Sequence, residues 1–248
     1  MSDDDVRILT RKGGVALACR QREGTAPTLL FLPGYASDMD GAKALALDAF
    51  ASARGLGIVR FDYSGTGLSE GRFEDGTLSG WLDDTLAVVD SLTDGPLFAV
   101  GSSMGGWIGL HLALNRPDRV KAICGIAAAP DFTEWGYTDE EKAIIAAEGR
   151  LEQPNPYGGP PQLTTRRFWE SGQRMRLLDS QIAIDCPVRL VHGDRDEEVP
   201  VKIASRLMGA LRSADVQMTV VKGGGHRLSE PHEIATILRT VAGLLETP

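Results

Sequence analysis

A chain of 248 residues, 42% hydrophobic and 24% charged, has the composition of an ordinary globular protein and the length for one large α/β core or two small ones. Its net charge of −8 excludes the basic footprint of a nucleic-acid binder and disfavours an anionic membrane surface. No run approaches the ~18 apolar residues of a membrane span.

The start, "MSDDDVRILT", has neither the basic-then-apolar order of a secretory signal nor the acid-poor character of a transit peptide. "VRILTRKGGVALACR" (6–20) then predicts two strands around a glycine turn. "TLLFL" (28–32) is a strand, "DGAKALALDAFASARG" (40–55) a helix closed by Gly55, and "GIVRFDY" (57–63) a strand. "LSGWLDDTLAVVDSL" (78–92) is a helix and "PLFAV" (96–100) a strand. After the turn "GSSMGG" (101–106) come a helix, "WIGLHLAL" (107–114), and a strand, "VKAICGIAA" (120–128). The alternation resumes with "VRLVHG" (188–193), "VKIASRLMGAL" (201–211), "VQMTVVKG" (216–223) and "PHEIATILRTVAGLLE" (231–246). Apolar strands alternating with amphipathic helices predict a mostly parallel sheet covered on both faces.

Residues 131–180 break this rhythm with "TDEEKAIIAAEGRL", "EQPNPYGGPP" and "RRFWESGQRMRLLDSQ". Fifty residues are few for an independent core, so the expectation is a single domain, 1–248, with a cap of short helices inserted at about 131–180. The three cysteines, Cys19, Cys124 and Cys186, are widely spaced and odd in number; free thiols in a reducing, cytoplasmic setting are expected.

Open parallel sheets bind ligands at the carboxyl ends of their strands, where "GSSMGG" lies. The pattern G-x-S-x-G fits in one register, Gly101-Ser103-Gly105, with Ser103 lifted out at a strained strand-to-helix turn. A serine needs a histidine as base, and the histidine needs a carboxylate to orient it, in the chain order Ser, Asp or Glu, His. Of His111, His192, His226 and His232, only His226, in "KGGGHRLSEP", follows a strand in a loop able to fold back; the others read as core, turn or solvated residues. "HGDRDEEVP" (192–200) offers the acid, with Asp196 preferred and Asp194 its rival. Oxyanion donors, each worth ~3–4 kcal/mol, would be the Met104 N–H and, from "FLPGYASDM" (31–39), the Tyr35 N–H, with the Tyr35 side chain overhanging the acyl group. No metal or organic cofactor is implied, because no Cys/His cluster or nucleotide fingerprint is present.

These motifs resemble the α/β-hydrolase superfamily. "RFDYSGTGLSEG" (60–71) is similar to its D-x-x-G-x-G-x-S loop, and "HGDRDEEVP" to its H-G-x-x-D-x-x-V-P acid loop, which implies Asp196 as the acid. Over about 29–130 and 185–228 the chain also resembles the mitochondrial palmitoyl-protein thioesterase and acyl-glucuronide esterase group of these enzymes, although it shows no import segment and carries "LPGY" where a His-Gly pair is more common. The resemblance implies an α/β-hydrolase fold and a serine hydrolase acting on small acyl esters or S-acylated proteins and peptides. Carbon–carbon bond hydrolysis, peptidase activity and a non-catalytic ligand receptor are the alternatives; serine rather than aspartate at the elbow argues against a dehalogenase. Arg166, Arg167, Arg174 and Arg176 read as solvated, with attraction of an acidic substrate the alternative. Trp135 and Trp169 are candidates for the pocket wall.

Overall fold

The computed structural model describes residues 5–246, so the acidic start lies outside it except for Asp5. In chain order the elements are β1 (Arg7–Thr10), β2 (Ala16–Arg22), β3 (Thr25–Leu32), α1 (Ala42–Arg54), β4 (Leu56–Phe61), α2 (Leu78–Leu92), β5 (Leu97–Ser102), α3 (Met104–Asn115) and β6 (Val120–Ile126). Then come α4 (Phe132–Trp135), α5 (Asp139–Glu148), β7 (Arg150–Gln153), β8 (Gln162–Thr165), α6 (Arg166–Arg174), β9 (Val188–Gly193), α7 (Val201–Ala210), β10 (Val216–Val221) and α8 (Pro231–Leu245).

Eight strands form one sheet in the order β1-β2-β4-β3-β5-β6-β9-β10. From β4 to β10 the neighbours run parallel, and β2 is antiparallel to both β1 and β4. The period-two rule explains the continuous apolar strands: in β3, Leu29 and Phe31 face one core cluster while Leu30 and Leu32 face the other. On the first face lie α1 (Leu47, Phe50) and α8 (Ile237, Val241); on the second lie α2 (Trp81, Val88), α3 (Trp107, Ile108) and α7 (Ile203, Leu207). Local signals set the helix ends. Gly55 closes α1 in the left-handed region at φ 66°, and the Thr77 hydroxyl caps α2 by accepting from the Gly80 amide at 3.0 Å.

Two expectations need correction. The strand expected over 57–63 stops at Phe61, because Asp62 turns its buried carboxylate back to accept the amides of Met39 (2.7 Å) and Leu68 (2.8 Å). Residues 131–180 hold not only short helices but also an antiparallel hairpin, β7–β8, whose loop is the Pro/Gly-rich stretch of 154–161. Four-residue strands are too short to display a period in sequence. This segment leaves and rejoins the body at one point: Asp131, in left-handed backbone at φ 59°, accepts the amides of Leu177 (2.8 Å) and Leu178 (2.7 Å) with its buried carboxylate.

Candidate active site

Ser103 stands between β5 and α3 with φ 53° and ψ −118°, a backbone conformation that side-chain-bearing residues rarely adopt. The turn is held by the Ser103 amide donating to Ile126 O (2.9 Å) and the Ser103 carbonyl accepting from Ala129 N (3.1 Å). Its glycines are there for close approach. A Cβ on Gly101 would meet the Gly105 carbonyl oxygen at 2.3 Å, and one on Gly105 would meet Leu32 O at 2.1 Å. Helix α3 can therefore start hard against the ends of β3 and β5, which lifts the Ser103 hydroxyl off the sheet.

The residues expected to cooperate with Ser103 meet there, from 123 and 30 residues apart in the chain. Ser103 Oγ lies 3.0 Å from His226 Nε2, and His226 Nδ1 lies 2.9 Å from Asp196 Oδ2. A carboxylate can only accept, so the ring proton sits on Nδ1 and the Nε2 lone pair faces the hydroxyl. Asp196 Oδ1 accepts the amides of Glu198 (3.0 Å) and Val199 (2.8 Å). Burial pushes the Asp196 carboxyl up, but the contacts from His192 and His226 and the Val199 amide outweigh it and hold the group well below the usual carboxylate range. The rival Asp194 is engaged elsewhere, accepting the Gly223 amide at 2.6 Å.

His192 is the residue the sequence reading undervalued. It is fully buried, donates from Nε2 to Val199 O (2.8 Å) and lies 3.3 Å from Asp196 Oδ2. The signal was present, since a histidine four residues before the acid spans the loop that presents it. His111 bonds the Met175 carbonyl at 2.9 Å, on the far side of α3, and His232 is exposed in the first turn of α8.

Of the two expected oxyanion donors, Met104 occupies the first position of α3, where amides have no partner within the helix. The Tyr35 amide donates to no protein acceptor among the described residues. Its neighbour Gly34 runs beside Ser103, with an added Cβ 3.5 Å from Ser103 Cβ. Tyr35 lines the cleft, and its side chain is held by its neighbours. Its ring packs among Phe73, Trp81, Phe132 and Phe168, and its hydroxyl donates to Leu163 O at 2.6 Å, because a buried phenol needs an acceptor.

Residues 29–237 match the Alpha/beta hydrolase family. The chain belongs to the α/β-hydrolases. Human "Palmitoyl-protein thioesterase ABHD10, mitochondrial" is 36% identical over 234 residues, covering 93% of this chain and 76% of that protein. Among solved structures, "Alpha/beta hydrolase domain-containing protein 10 from mouse" matches with a TM-score of 0.92 and 35% identity, over 98% of each chain. A putative hydrolase from Agrobacterium vitis S4 matches with a TM-score of 0.92 and 38% identity, over 97% of this chain and 98% of that one.

In this α/β-hydrolase a cleft of about 650 Å³ opens over Ser103 and His226. Phe132 and Trp135 give it apolar wall, while Lys43, Gln153, Asn155 and Arg227 make the rest polar. Three of the four arginines read as solvated are engaged away from the cleft, Arg166 with the Ala147 carbonyl, Arg167 with Asp75 at 2.7 Å and Arg176 with Glu134 at 3.2 Å, and Arg174 is exposed. Trp169 is likewise engaged, donating to Thr133 O at 2.9 Å. Cys19, Cys124 and Cys186 are free; burial pushes the first two thiols up to about 12 and the third to about 11, so none is a reactive thiolate. Among the described residues no group of three His, Cys, Asp or Glu side chains is arranged to hold a metal ion.

Lys43, at the start of α1, donates from Nζ to the Arg227 carbonyl, one residue beyond His226. Burial, and the neighbouring Arg227 charge after it, lower its pKa to about 8 against a partial offset from Glu233. The unfolded chain binds the proton up to about pH 10.4, so between about 8 and 10.4 it holds more protons than the native state and stability rises with pH. Urea denaturation of Lys43→Met should therefore lose ground to the wild type on going from pH 7 to pH 10; a constant gap would refute this.

Proposed function

We propose that the protein is a serine hydrolase of carboxylic esters or thioesters, working through Ser103, His226 and Asp196 and an acyl-enzyme. The observation that carries this reading is the unbroken chain from Ser103 Oγ to His226 Nε2 (3.0 Å) and from His226 Nδ1 to Asp196 Oδ2 (2.9 Å) at the mouth of a cleft.

Ser103 Oγ attacks the carbonyl carbon as His226 Nε2 takes its proton. Asp196, kept ionised by its donors, holds the Nδ1 tautomer and stabilises the imidazolium. The amides of Met104 and Tyr35 receive the tetrahedral oxyanion, each contributing about 10²–10³ in kcat. Collapse expels an alcohol or thiol protonated by His226, and water activated by the same ring then releases the acid and regenerates Ser103. Residues 131–180 act as a cap that contributes Trp135 and Phe132 to the cleft. The relatives named as palmitoyl-protein thioesterases support thioesters within the substrate range.

Those relatives are also named mitochondrial, which weighs against the cytoplasmic setting expected from composition; the free thiols need only a reducing compartment. No helix among the described residues is long and apolar enough to cross a membrane. The test is a panel of p-nitrophenyl esters of graded acyl length, S-acyl peptides and acyl glucuronides. Turnover of at least one ester or thioester, blocked by a fluorophosphonate, is expected. Failure on every member, with no fluorophosphonate labelling, would sink the assignment.

A further inference from the structure

Tyr35 joins two parts of the molecule that the chain keeps far apart. Its backbone belongs to the loop after β3 that passes Ser103, where a Cβ added to Gly34 would lie 3.5 Å from Ser103 Cβ. Its hydroxyl donates to the Leu163 carbonyl, 128 residues further on, in β8 of the inserted segment. Its ring is clasped from both sides, by Phe73 (5.1 Å) and Trp81 (5.8 Å) of the body and by Phe132 (5.9 Å) and Phe168 (4.7 Å) of the segment. Other hydrogen bonds anchor the two ends of the loop, where Tyr63 Oη donates to Pro33 O at 3.4 Å and Arg60 Nη1 donates to Met39 O at 2.8 Å. Ser37 N donates to Gly34 O at 3.2 Å, and Met39 N reaches the Asp62 carboxylate at 2.7 Å. The Ser37–Gly34 bond ties the peptide plane that carries the Tyr35 N–H into a tight turn that moves as one piece, and among the described residues the Tyr35 amide itself has no protein acceptor.

We propose that the inserted segment sets the aim of the Tyr35 N–H through the Tyr35 side chain, so that the cap completes the oxyanion hole as well as walling the cleft. Tyr35 is thereby both a donor, through its amide, and a positioning residue, through its phenol. This rests on the hydrolase reading above and adds a control to it. The physical requirement is strict: preorganised donors act because they stand where charge develops, and misplacement by about 1 Å costs up to 10²-fold. A tight turn with left-handed backbone at Ala36 (φ 53°), anchored at the loop's ends through Pro33 and Met39, takes the direction of its Tyr35 corner from the clasped ring and the 2.6 Å phenol bond. A shift of β8 or α6 pulls the phenol, and the amide turns with it, while Ser103, His226 and Asp196, all outside the segment, stay in register.

The test uses Tyr35→Phe, which removes only the phenol oxygen, and Phe168→Leu, which loosens the clasp from the cap side. For each, kcat and KM on p-nitrophenyl acetate, the rate of Ser103 labelling by a fluorophosphonate, and affinity for an alkyl boronic acid are measured, with Tm as the control for folding. The expected result is a fall of about tenfold in kcat, labelling rate and boronate affinity together, with KM within about twofold of wild type, as for a donor used only in the transition state. Wild-type kcat and labelling rate in both variants would overturn the proposal whatever happens to Tm, as would a change confined to KM. The two readings fail separately. Labelling of Ser103→Ala at the wild-type rate removes the hydrolase mechanism, whereas an unlabelled Ser103→Ala beside a normally labelled Tyr35→Phe removes only the coupling.

Discussion

Ser103→Ala should lower kcat on any ester or thioester substrate by about 10⁵-fold or more, with the fold intact and ground-state binding nearly unchanged. The substitution deletes the one oxygen that His226 Nε2 faces at 3.0 Å and leaves the backbone turn to Ile126 O and Ala129 N in place. Alanine at φ 53° inherits the same backbone strain, so neither the elbow nor the cleft has reason to move. The residual rate comes from the amides and from substrate binding alone. Circular dichroism, KM or inhibitor affinity, and fluorophosphonate labelling separate this outcome from unfolding. Activity within tenfold of wild type would place the nucleophile elsewhere.

Asp196→Asn is expected to cost about 10⁴-fold in kcat, for a different reason. The amide is the same size, but Oδ1 now has to satisfy the Glu198 and Val199 amides, which turns the NH₂ toward His226. Facing a donor, His226 Nδ1 becomes an acceptor, the proton moves to Nε2, and the ring can no longer take one from Ser103. The variant also carries a stability signature. A carboxyl held below its unfolded value near 3.9 contributes stability that is present above that value and is lost as pH falls through the folded one. The denaturation gap between wild type and Asp196→Asn should thus be flat above about pH 5 and close as the solution is acidified below about 4. A gap that widened on acidification would contradict the donors assigned to Asp196.

The parts of this protein that were legible in sequence are those written in local chemistry. Strands β3, β5, β6 and β9 are short apolar runs buried on both faces, and the elbow needs glycines where backbones touch, so both leave marks in a few adjacent letters. The residues alone favour Asp196 over Asp194 without separating them cleanly, and the resemblance of their loop adds the rest; the geometry that distinguishes them, an imidazole against an amide, involves residues about thirty positions away. Contacts set by the tertiary path left no such mark. Nothing near Tyr35 announces Leu163 or Phe168, and nothing in "RLEQ" or "QLTT" announces a hairpin. Asp62 looked like the continuation of a strand because its task, holding two amides from loops on either side, is invisible until those loops arrive.

The way the inserted segment is attached has a consequence for how such proteins diversify. Asp131 ties the departing chain to the returning one at Leu177 and Leu178, and the pairs Thr133–Gln173 and Glu134–Arg176 add to the tie, so the two ends of the excursion are held side by side where they meet the sheet. With its ends held together, the stretch between them is the natural place for replacement, since Ser103, Asp196 and His226 all lie outside it, provided that the places Phe168 and Leu178 take in the core are filled. A transplant keeping Asp131 and the 177–178 peptide, and keeping an acceptor for the Tyr35 phenol, is thus the natural unit for redirecting this scaffold toward new acyl groups.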